Sequence, residues 1–102
     1  MAAIDLTTLN WNNGGANKKI ASVTTTNQEV IIPKWAKLVT VQAVSQAIYF
    51  SYIGTDGASP VADASPKAVS SIIQYNPVQT TSNRSIYLAS QSGTATIYLI
   101  FE

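Results

Sequence analysis

The chain has 102 residues, which is enough for one domain with a single hydrophobic core. Only 11% of the residues are charged and the net charge is +1, and the scattered Lys and Arg residues form no cluster of the kind that nucleic-acid binding needs. Cysteine and histidine are both absent, so disulfides, thiolate metal sites and the commonest general base are excluded, and we expect no cofactor and no enzymatic activity.

Residues 1–18 have no regular hydrophobic period, and their Asn and Gly residues favour turns. We interpret this segment as an extended N-terminal arm outside the core. Four of its apolar side chains need burial, either on the flank of the domain or on an adjacent subunit: Ile4, Leu6, Leu9 and Trp11. We therefore expect that removal of residues 1–17 leaves the rest of the chain folded.

Residues 19–102 are predicted to form one all-β domain. Seven segments are rich in Val, Ile, Thr and Tyr and follow one another at the spacing typical of a sandwich. These segments are 20–26, 28–32, 38–44, 48–53, 69–75, 85–89 and 94–101. The pattern predicts an antiparallel β-sandwich, with the jelly roll as one candidate topology.

The short polar breaks between strands predict two hairpins, one from segments 20–26 and 28–32 and one from segments 85–89 and 94–101. In segment 38–44, alternation places Val39, Val41 and Ala43 on one face and Leu38, Thr40 and Gln42 on the other, and either face of segment 48–53 can be internal. In segment 94–101 the residues expected to face inward are Ala95, Ile97, Leu99 and Phe101. Thr94, Thr96 and Tyr98 are expected to face outward.

The region 54–66 is predicted to be a long surface loop because it contains several Gly, Pro and Asp residues. Its oxygen-bearing side chains Thr55, Asp56, Ser59 and Asp63 offer ligands for calcium, but they lack the spacing of an EF-hand. Asp56 and Asp63 also form the one nearby carboxylate pair, for which turn formation is the more ordinary explanation. Asn83 begins a glycosylation sequon, which we interpret as a chance match because no secretory signal is recognisable.

The surface is expected to be polar but almost uncharged, and such surfaces repel one another weakly. This composition favours a chain that lives in an assembly. Tyr98 and Ile100, which alternation places on the outside of the last strand, are candidates for subunit contact, and Trp35 is a further interface candidate. The chain has no apolar stretch long enough to cross a membrane, and we expect it to be made in the cytoplasm.

Three stretches of the chain resemble small β-sandwich virion proteins of tailed bacteriophages: 33–41 (PKWAKLVTV), 47–51 (AIYFS) followed by a Gly/Asp/Ala loop, and 84–88 (RSIYL) paired with 93–98 (GTATIY). This group includes capsid decoration (cement) proteins and small tail or fibre modules. The resemblance implies a non-enzymatic homo-oligomer, often a trimer, that sits on a capsid lattice with its N-terminal arm over neighbouring subunits. It implies a location in the virion and no catalytic residues.

Two functions therefore remain in view. The first is a virion structural protein, most simply a decoration protein that stabilises the phage head through homo-oligomeric contacts with the major capsid protein or another virion protein. The alternative is a carbohydrate- or receptor-binding module in which an exposed aromatic ring such as Trp35 stacks on a glycan.

Overall fold

The computed structural model describes residues 3–11, 13–54, 63–77 and 84–102. Within these ranges the chain forms nine β-strands and no helix, so the described part contains no helix that could span a membrane. The strands are β1 Ile4–Asp5, β2 Ala16–Val23, β3 Gln28–Ile32, β4 Val39–Val44, β5 Ile48–Ser51, β6 Ser65–Lys67, β7 Ile72–Tyr75, β8 Arg84–Ser90 and β9 Ala95–Phe101.

The strands form two sheets that pack against each other, in the orders β1-β3-β8-β5-β6 and β2-β9-β4-β7. The pairing of β1 with β3 is parallel, and the other pairings are antiparallel. The predicted all-β sandwich is confirmed. It has nine strands where the sequence pattern indicated seven, because β1 and β6 are too short to show alternation and β6 contains Pro66.

The pairing pattern is that of a jelly roll. The pairs β2 with β9, β3 with β8, β4 with β7 and β5 with β6 are those of one long antiparallel ribbon with its tip between β5 and β6. Two further pairs, β4 with β9 and β5 with β8, join successive turns of this ribbon where it rolls up. The eight strands β2 to β9 thus form two four-stranded layers connected as in the jelly-roll fold.

The two predicted hairpins are wrong. β2 pairs with β9 and β3 pairs with β8, so the chain crosses from one sheet to the other between β2 and β3, and again between β8 and β9. These connections are short enough for hairpins, but they bridge the two layers. The amide of Ser90, at the end of β8, donates to the carbonyl oxygen of Thr24, which follows β2, at 2.8 Å. Alternation reports which face of a strand is buried and does not identify the neighbouring strand.

The core lies between the two sheets and is formed by every second residue of the long strands. The inward face predicted for β9 is confirmed, because Ala95, Ile97, Leu99 and Phe101 are almost completely buried. On β4 the buried face is that of Val39, Val41 and Ala43. The open choice for β5 is resolved in favour of Ile48 and Phe50. The largest fully buried side chains of the core are Phe101, Ile32, Ile48, Ile86, Leu88, Ile97 and Leu99.

The N-terminal segment is part of the sandwich, which corrects the interpretation of residues 1–18 as an arm outside the core. β1 pairs with β3, the amide of Leu6 donates to the carbonyl oxygen of Ile31 at 2.9 Å, and Leu6 is only 4% exposed. β2 also begins at Ala16, inside the range assigned to the arm. Removal of residues 1–17 would therefore take a buried leucine and two strand segments out of the fold.

The loops gather at two ends of the sandwich. The end that we call the arm end carries the N-terminal segment, the β3–β4 connection and the residues that follow β5 and β7. Contacts across this end hold it together: the amides of Lys37 and Leu38 both donate to the carbonyl oxygen of Glu102. The opposite end carries the connections β2–β3, β4–β5, β6–β7 and β8–β9.

Candidate functional site

The outer surface of the β2-β9-β4-β7 sheet is open to solvent, and we call it the β9 face. The strand register places two rows of side chains side by side across it. One row is Asn17, Ile100, Thr40 and Gln74, and the other is Lys19, Tyr98, Gln42 and Ile72. Seven of these eight side chains are uncharged.

Three apolar side chains of the β9 face are open to solvent: Ile72 is 63% exposed, Ile100 44% and Tyr98 42%. Tyr98 and Ile100 therefore lie where the alternation of the last strand placed them, and their role in subunit contact stays a prediction. Ile72 was not predicted as an interface residue from the sequence. It lies on the same side of β7 as the polar residue Gln74, and this two-residue spacing is the pattern that indicates an outward position.

Lys19 is the one ionic side chain in these two rows, and it lies on the edge strand β2. Its ammonium nitrogen is 5.9 Å from the centre of the Tyr98 ring, within the range of a cation–π contact. Toward the other edge, the Gln74 side-chain amide donates to the hydroxyl of Thr40 at 3.2 Å. The middle of the β9 face thus consists of apolar side chains and neutral hydrogen-bonding groups.

The outer surface of the other sheet differs, because neighbouring residues already cover it. Ala89 and Ser51 point outward by register, yet they are only 1% and 8% exposed. Gly54 approaches this surface so closely that an added Cβ would lie 3.0 Å from the Tyr87 ring. The same surface carries the carboxylate of Glu29, which accepts a hydrogen bond from the Ser85 hydroxyl at 2.6 Å. Little of it resembles the open, neutral β9 face.

The four N-terminal interface candidates divide into two groups. Leu6 belongs to the core, and Ile4 and Leu9 pack against it, so their burial is supplied by the domain itself. Trp11 is 67% exposed. The fold therefore selects the first of the two hosts that the sequence left open for Leu6, and Trp11 is the one candidate of this group whose side chain is open to a partner.

Trp35 is held inside the arm end and does not form an open platform. Its side chain is half-buried against the core, and the indole N–H donates to the carbonyl oxygen of Leu9 at 3.0 Å. Because the polar edge of the ring is hydrogen-bonded within the domain, Trp35 links the β3–β4 connection to the N-terminal segment. The suggestion that Trp35 stacks on a glycan is therefore not favoured by its position.

An aromatic cluster that the sequence did not single out lies at the arm end. The Tyr52 ring packs edge-on against Phe50, with centroids 5.1 Å apart, and against Tyr75, with centroids 5.2 Å apart. Tyr52 is nevertheless 58% exposed. It forms one wall of a pocket of about 280 Å³ that Tyr75 and Arg84 also line. Residues from both sheets contribute, so only the folded topology brings them together.

The two main polar groups of this arm-end pocket, on Arg84 and Tyr75, differ in their hydrogen bonding. The Arg84 guanidinium donates to the carbonyl oxygen of Pro33 at 2.6 Å and to that of Ala36 at 3.4 Å, so it fastens β8 to the β3–β4 connection. The hydroxyl oxygen of Tyr75 is buried and has no hydrogen-bond partner among the described residues. Burial raises the pKa of Tyr75, the nearby Tyr52 adds to the rise, and the charge of Arg84 opposes it.

The described residues contain no group of three or more His, Cys, Asp or Glu side chains that could hold a metal ion. The calcium ligands proposed from the sequence lie mostly outside the described residues, as do Asp56 of the carboxylate pair and Asn83 of the sequon. Asp63 is described and is exposed. Asp5, on β1, accepts hydrogen bonds from the hydroxyl and the amide of Thr7, and these bonds lower its pKa.

No protein family matches the chain, and no curated protein or solved structure matches it either. The described residues form a jelly-roll β-sandwich with an open, largely uncharged sheet face and an aromatic pocket at the arm end. What the molecule does must be inferred from these two features.

Proposed function

We propose that this chain is a non-enzymatic structural subunit that associates with copies of itself and decorates a virion, most simply the head of a tailed phage. The observation that carries the proposal is the β9 face, where Ile72, Tyr98 and Ile100 are exposed among uncharged neighbours. An ordered sheet surface of this composition is typical of one that is covered in an assembly.

Burial of the three exposed apolar side chains would stabilise an assembly. Full burial of a large apolar side chain is worth roughly 1.5–3 kcal/mol, and about half of each of these side chains is still in water, so each can contribute about 1 kcal/mol to association. Gln42 and Thr40 lie between them and supply hydrogen-bonding groups at low desolvation cost compared with ions. Repetition by symmetry then adds several such contacts.

The occupant that suits this face is a second copy of the chain. The two rows carry one charged group, the Lys19 ammonium on the edge strand β2, and the Glu102 carboxylate borders them beside Ile100, so two copies can meet through the middle of this face with few charges to desolvate. The outer surface of the other sheet carries a carboxylate and is already covered by its own side chains. The β9 face therefore supports association with copies of this chain better than any other described surface.

The placement on a virion rests on the resemblance to phage decoration proteins and on the fold. Jelly rolls are frequent in viral capsid proteins, and this support is one of analogy, because one fold serves many functions. With Ile4, Leu6 and Leu9 packed on the domain itself, attachment to the particle does not depend on them. The oligomer would instead bind the capsid through several copies at once, so that weak contacts combine.

Co-sedimentation with tailed-phage heads that have been stripped of their own decoration proteins tests this function. We expect the chain to pellet with at least one head type, and Tyr98→Lys to weaken this binding at least tenfold because a monomer loses the multivalent gain. Val69→Lys is the matched control, since it places the same charge on an exposed apolar residue of the opposite end. Failure of the unmodified chain to bind any head of a broad panel would contradict the proposal.

A further inference from the structure

The two sheets end in four edge strands, β1 and β6 in one sheet and β2 and β7 in the other. An edge strand exposes backbone N–H and C=O groups that can pair with a strand of another molecule, and proteins block such pairing with charges, prolines, bulges or very short strands. Within the described ranges, three of the four edges carry features of this kind. The β7 edge carries none of them.

The edges of β2, β6 and β1 are unsuited to the addition of a strand. On β2, Lys18 lies opposite the buried Leu99 and thus on the core side of the strand, where an added strand would enclose its charge. The register of β2 is also irregular between Ile20 and Val23. β6 has three residues and contains Pro66, and β1 has only two residues.

The β7 edge is regular and uncharged. β7 runs from Ile72 to Tyr75 and pairs with β4 without a shift of register. The residues beside it, 68–71 and 76–77, carry no charge either. Two β7 strands that come together therefore bring no like charges into contact.

The hydrogen bonds of β4 show which backbone groups of β7 are engaged. Leu38 and Glu102 exchange two backbone hydrogen bonds of 2.9 Å in the register that joins β4 to β9. Backbone groups alternate in direction along an antiparallel strand, so the even-numbered residues of β4 bond to β9 and the odd-numbered residues bond to β7. In agreement, the amide of Ser70 donates to the carbonyl oxygen of Ala43 at 2.8 Å.

The backbone groups of Ile72 and Gln74 consequently point to the open edge. Ile73 and Tyr75 lie opposite odd-numbered residues of β4 and bond to it, and the two residues between and before them point the other way. No residue in the described part of the chain forms a backbone hydrogen bond with Ile72 or Gln74 on this side. The edge thus offers two N–H and two C=O groups, spaced for one further antiparallel strand.

We propose that two copies of the chain pair edge to edge through β7, antiparallel and about a two-fold axis at Ile73. In this register Ile72 of each copy exchanges hydrogen bonds with Gln74 of the other, so all the outward backbone groups of both residues take partners. Ile73, which is half-buried against the core, lies directly opposite its own counterpart. Two four-stranded sheets become one continuous sheet with both β9 faces on the same side.

This pairing rests on the proposed self-association, because the copies must already be close together. A strand pair of this length is too weak to persist by itself in dilute solution, so it forms between copies that the β9 contact or the particle surface holds near each other. It uses backbone groups at the β7 edge, whereas the β9 contact uses side chains such as Tyr98 and Ile100. One contact can therefore fail without the other.

Disulfide trapping tests the pairing, since it accumulates even a transient pair and the chain contains no cysteine of its own. Directly opposed residues of an antiparallel pair lie within reach of a disulfide, so we expect Ile73→Cys, oxidised at high protein concentration, to give a covalent dimer of twice 10.9 kDa. Gln74→Cys is the matched control. It is more exposed but faces Ile72 of the other copy, and it should give at least tenfold less dimer.

A proline variant shows whether the disulfide reports strand pairing. The N–H of Gln74 points to the edge, so Gln74→Pro removes a donor of the pair without removing a bond to β4. Added to Ile73→Cys, it should lower the yield of dimer at least tenfold, whereas Gln74→Ala, which keeps the N–H, should leave the yield unchanged. Urea unfolding of the reduced variants confirms that each is folded.

The outcomes separate this contact from the β9 contact. Ile73→Cys combined with Tyr98→Lys should still cross-link at high concentration, because the β7 pair does not use the Tyr98 ring. No dimer from folded Ile73→Cys, equal yields from Gln74→Cys, or a yield that Gln74→Pro does not lower would overturn the β7 pairing and leave this edge to a strand of a different protein. Cross-linking by a chain that is otherwise monomeric would support the β7 pairing and contradict the β9 contact alone.

Discussion

Tyr75 places a hydroxyl group in a buried position where the two sheets meet at the arm end. Its ring packs with Tyr52 at a centroid distance of 5.2 Å and with Phe50 at 6.0 Å. Aromatic packing accounts for the position of the ring, whereas the oxygen atom adds no hydrogen bond to another described residue. The ring of Tyr75 therefore stabilises the fold through packing, whereas burial of its hydroxyl group opposes folding.

This burial predicts a dependence of stability on alkaline pH. Tyrosine in the unfolded chain ionises near pH 10, whereas burial raises the pKa of Tyr75 in the folded protein. As the pH rises above about 10, the unfolded state releases the proton first, so the contribution of Tyr75 is fully present below that pH and is lost above it.

Urea unfolding at about pH 8 and about pH 11 measures this contribution, and Tyr75→Phe removes it. We expect the variant to lose about 1 kcal/mol less stability than the unmodified chain between the two pH values, since one pKa unit corresponds to about 1.4 kcal/mol. Equal losses in the two proteins would contradict the burial of this hydroxyl.

The N-terminal segment shows how a very short element is held. β1 is two residues long and pairs with the edge of β3, and the chain then turns so that Leu6 enters the core. Leu9 packs behind it and offers its carbonyl oxygen to the Trp35 indole. Two residues of pairing cannot hold a strand by themselves, so the buried leucine is what fixes β1.

Leu6→Ala is therefore expected to destabilise the whole domain and not only its end. The loss of a buried leucine costs about 2–5 kcal/mol, and we expect the lower part of this range because Leu6 lies at the margin of the core. Equilibrium unfolding in urea checks the value, with Trp11→Ala as the control that should change stability by less than about 0.5 kcal/mol because Trp11 is exposed. Equal stability of the Leu6 variant and the unmodified chain would show that the segment is not part of the fold.

At the scale of the whole molecule, the jelly-roll topology determines which surfaces remain open. Rolling of the ribbon brings β9 between β2 and β4 and leaves their outward side chains uncovered, and it brings the ends of β3, β7 and β8 together around the arm-end pocket. Neither surface is continuous in the sequence. Tyr98 and Ile72, for example, are joined only by their common neighbour Gln42 on β4.

The sequence predicted those features of the fold that depend on local pattern. The alternation in residues 95–101 identified the buried face correctly and placed Tyr98 and Ile100 outside, and in residues 39–44 it separated the two faces of the strand. The pairing of strands was not predictable in the same way, because a short polar break such as 91–94 suits a hairpin and a crossing between sheets equally well.

The candidate sites show the same contrast between what a local sequence pattern predicts and what only long-range packing determines. Leu6 was recognised as a residue in need of burial, but the segment around it has no period that reveals a two-residue strand. The arm-end pocket was missed because Tyr52, Tyr75 and Arg84 come from three separate parts of the chain and meet only through long-range packing. Each of these residues alone resembles an ordinary strand or edge residue.

The central claim is that the β9 face is covered by another copy of the chain, and sedimentation equilibrium over a range of protein and salt concentrations tests it most directly. We expect a mass of two or more times 10.9 kDa for the unmodified chain and for Val69→Lys, and we expect it to persist at high salt because the contact is apolar and mostly uncharged. Tyr98→Lys should shift the mass to 10.9 kDa. A mass of 10.9 kDa for the unmodified chain at every concentration would contradict the account.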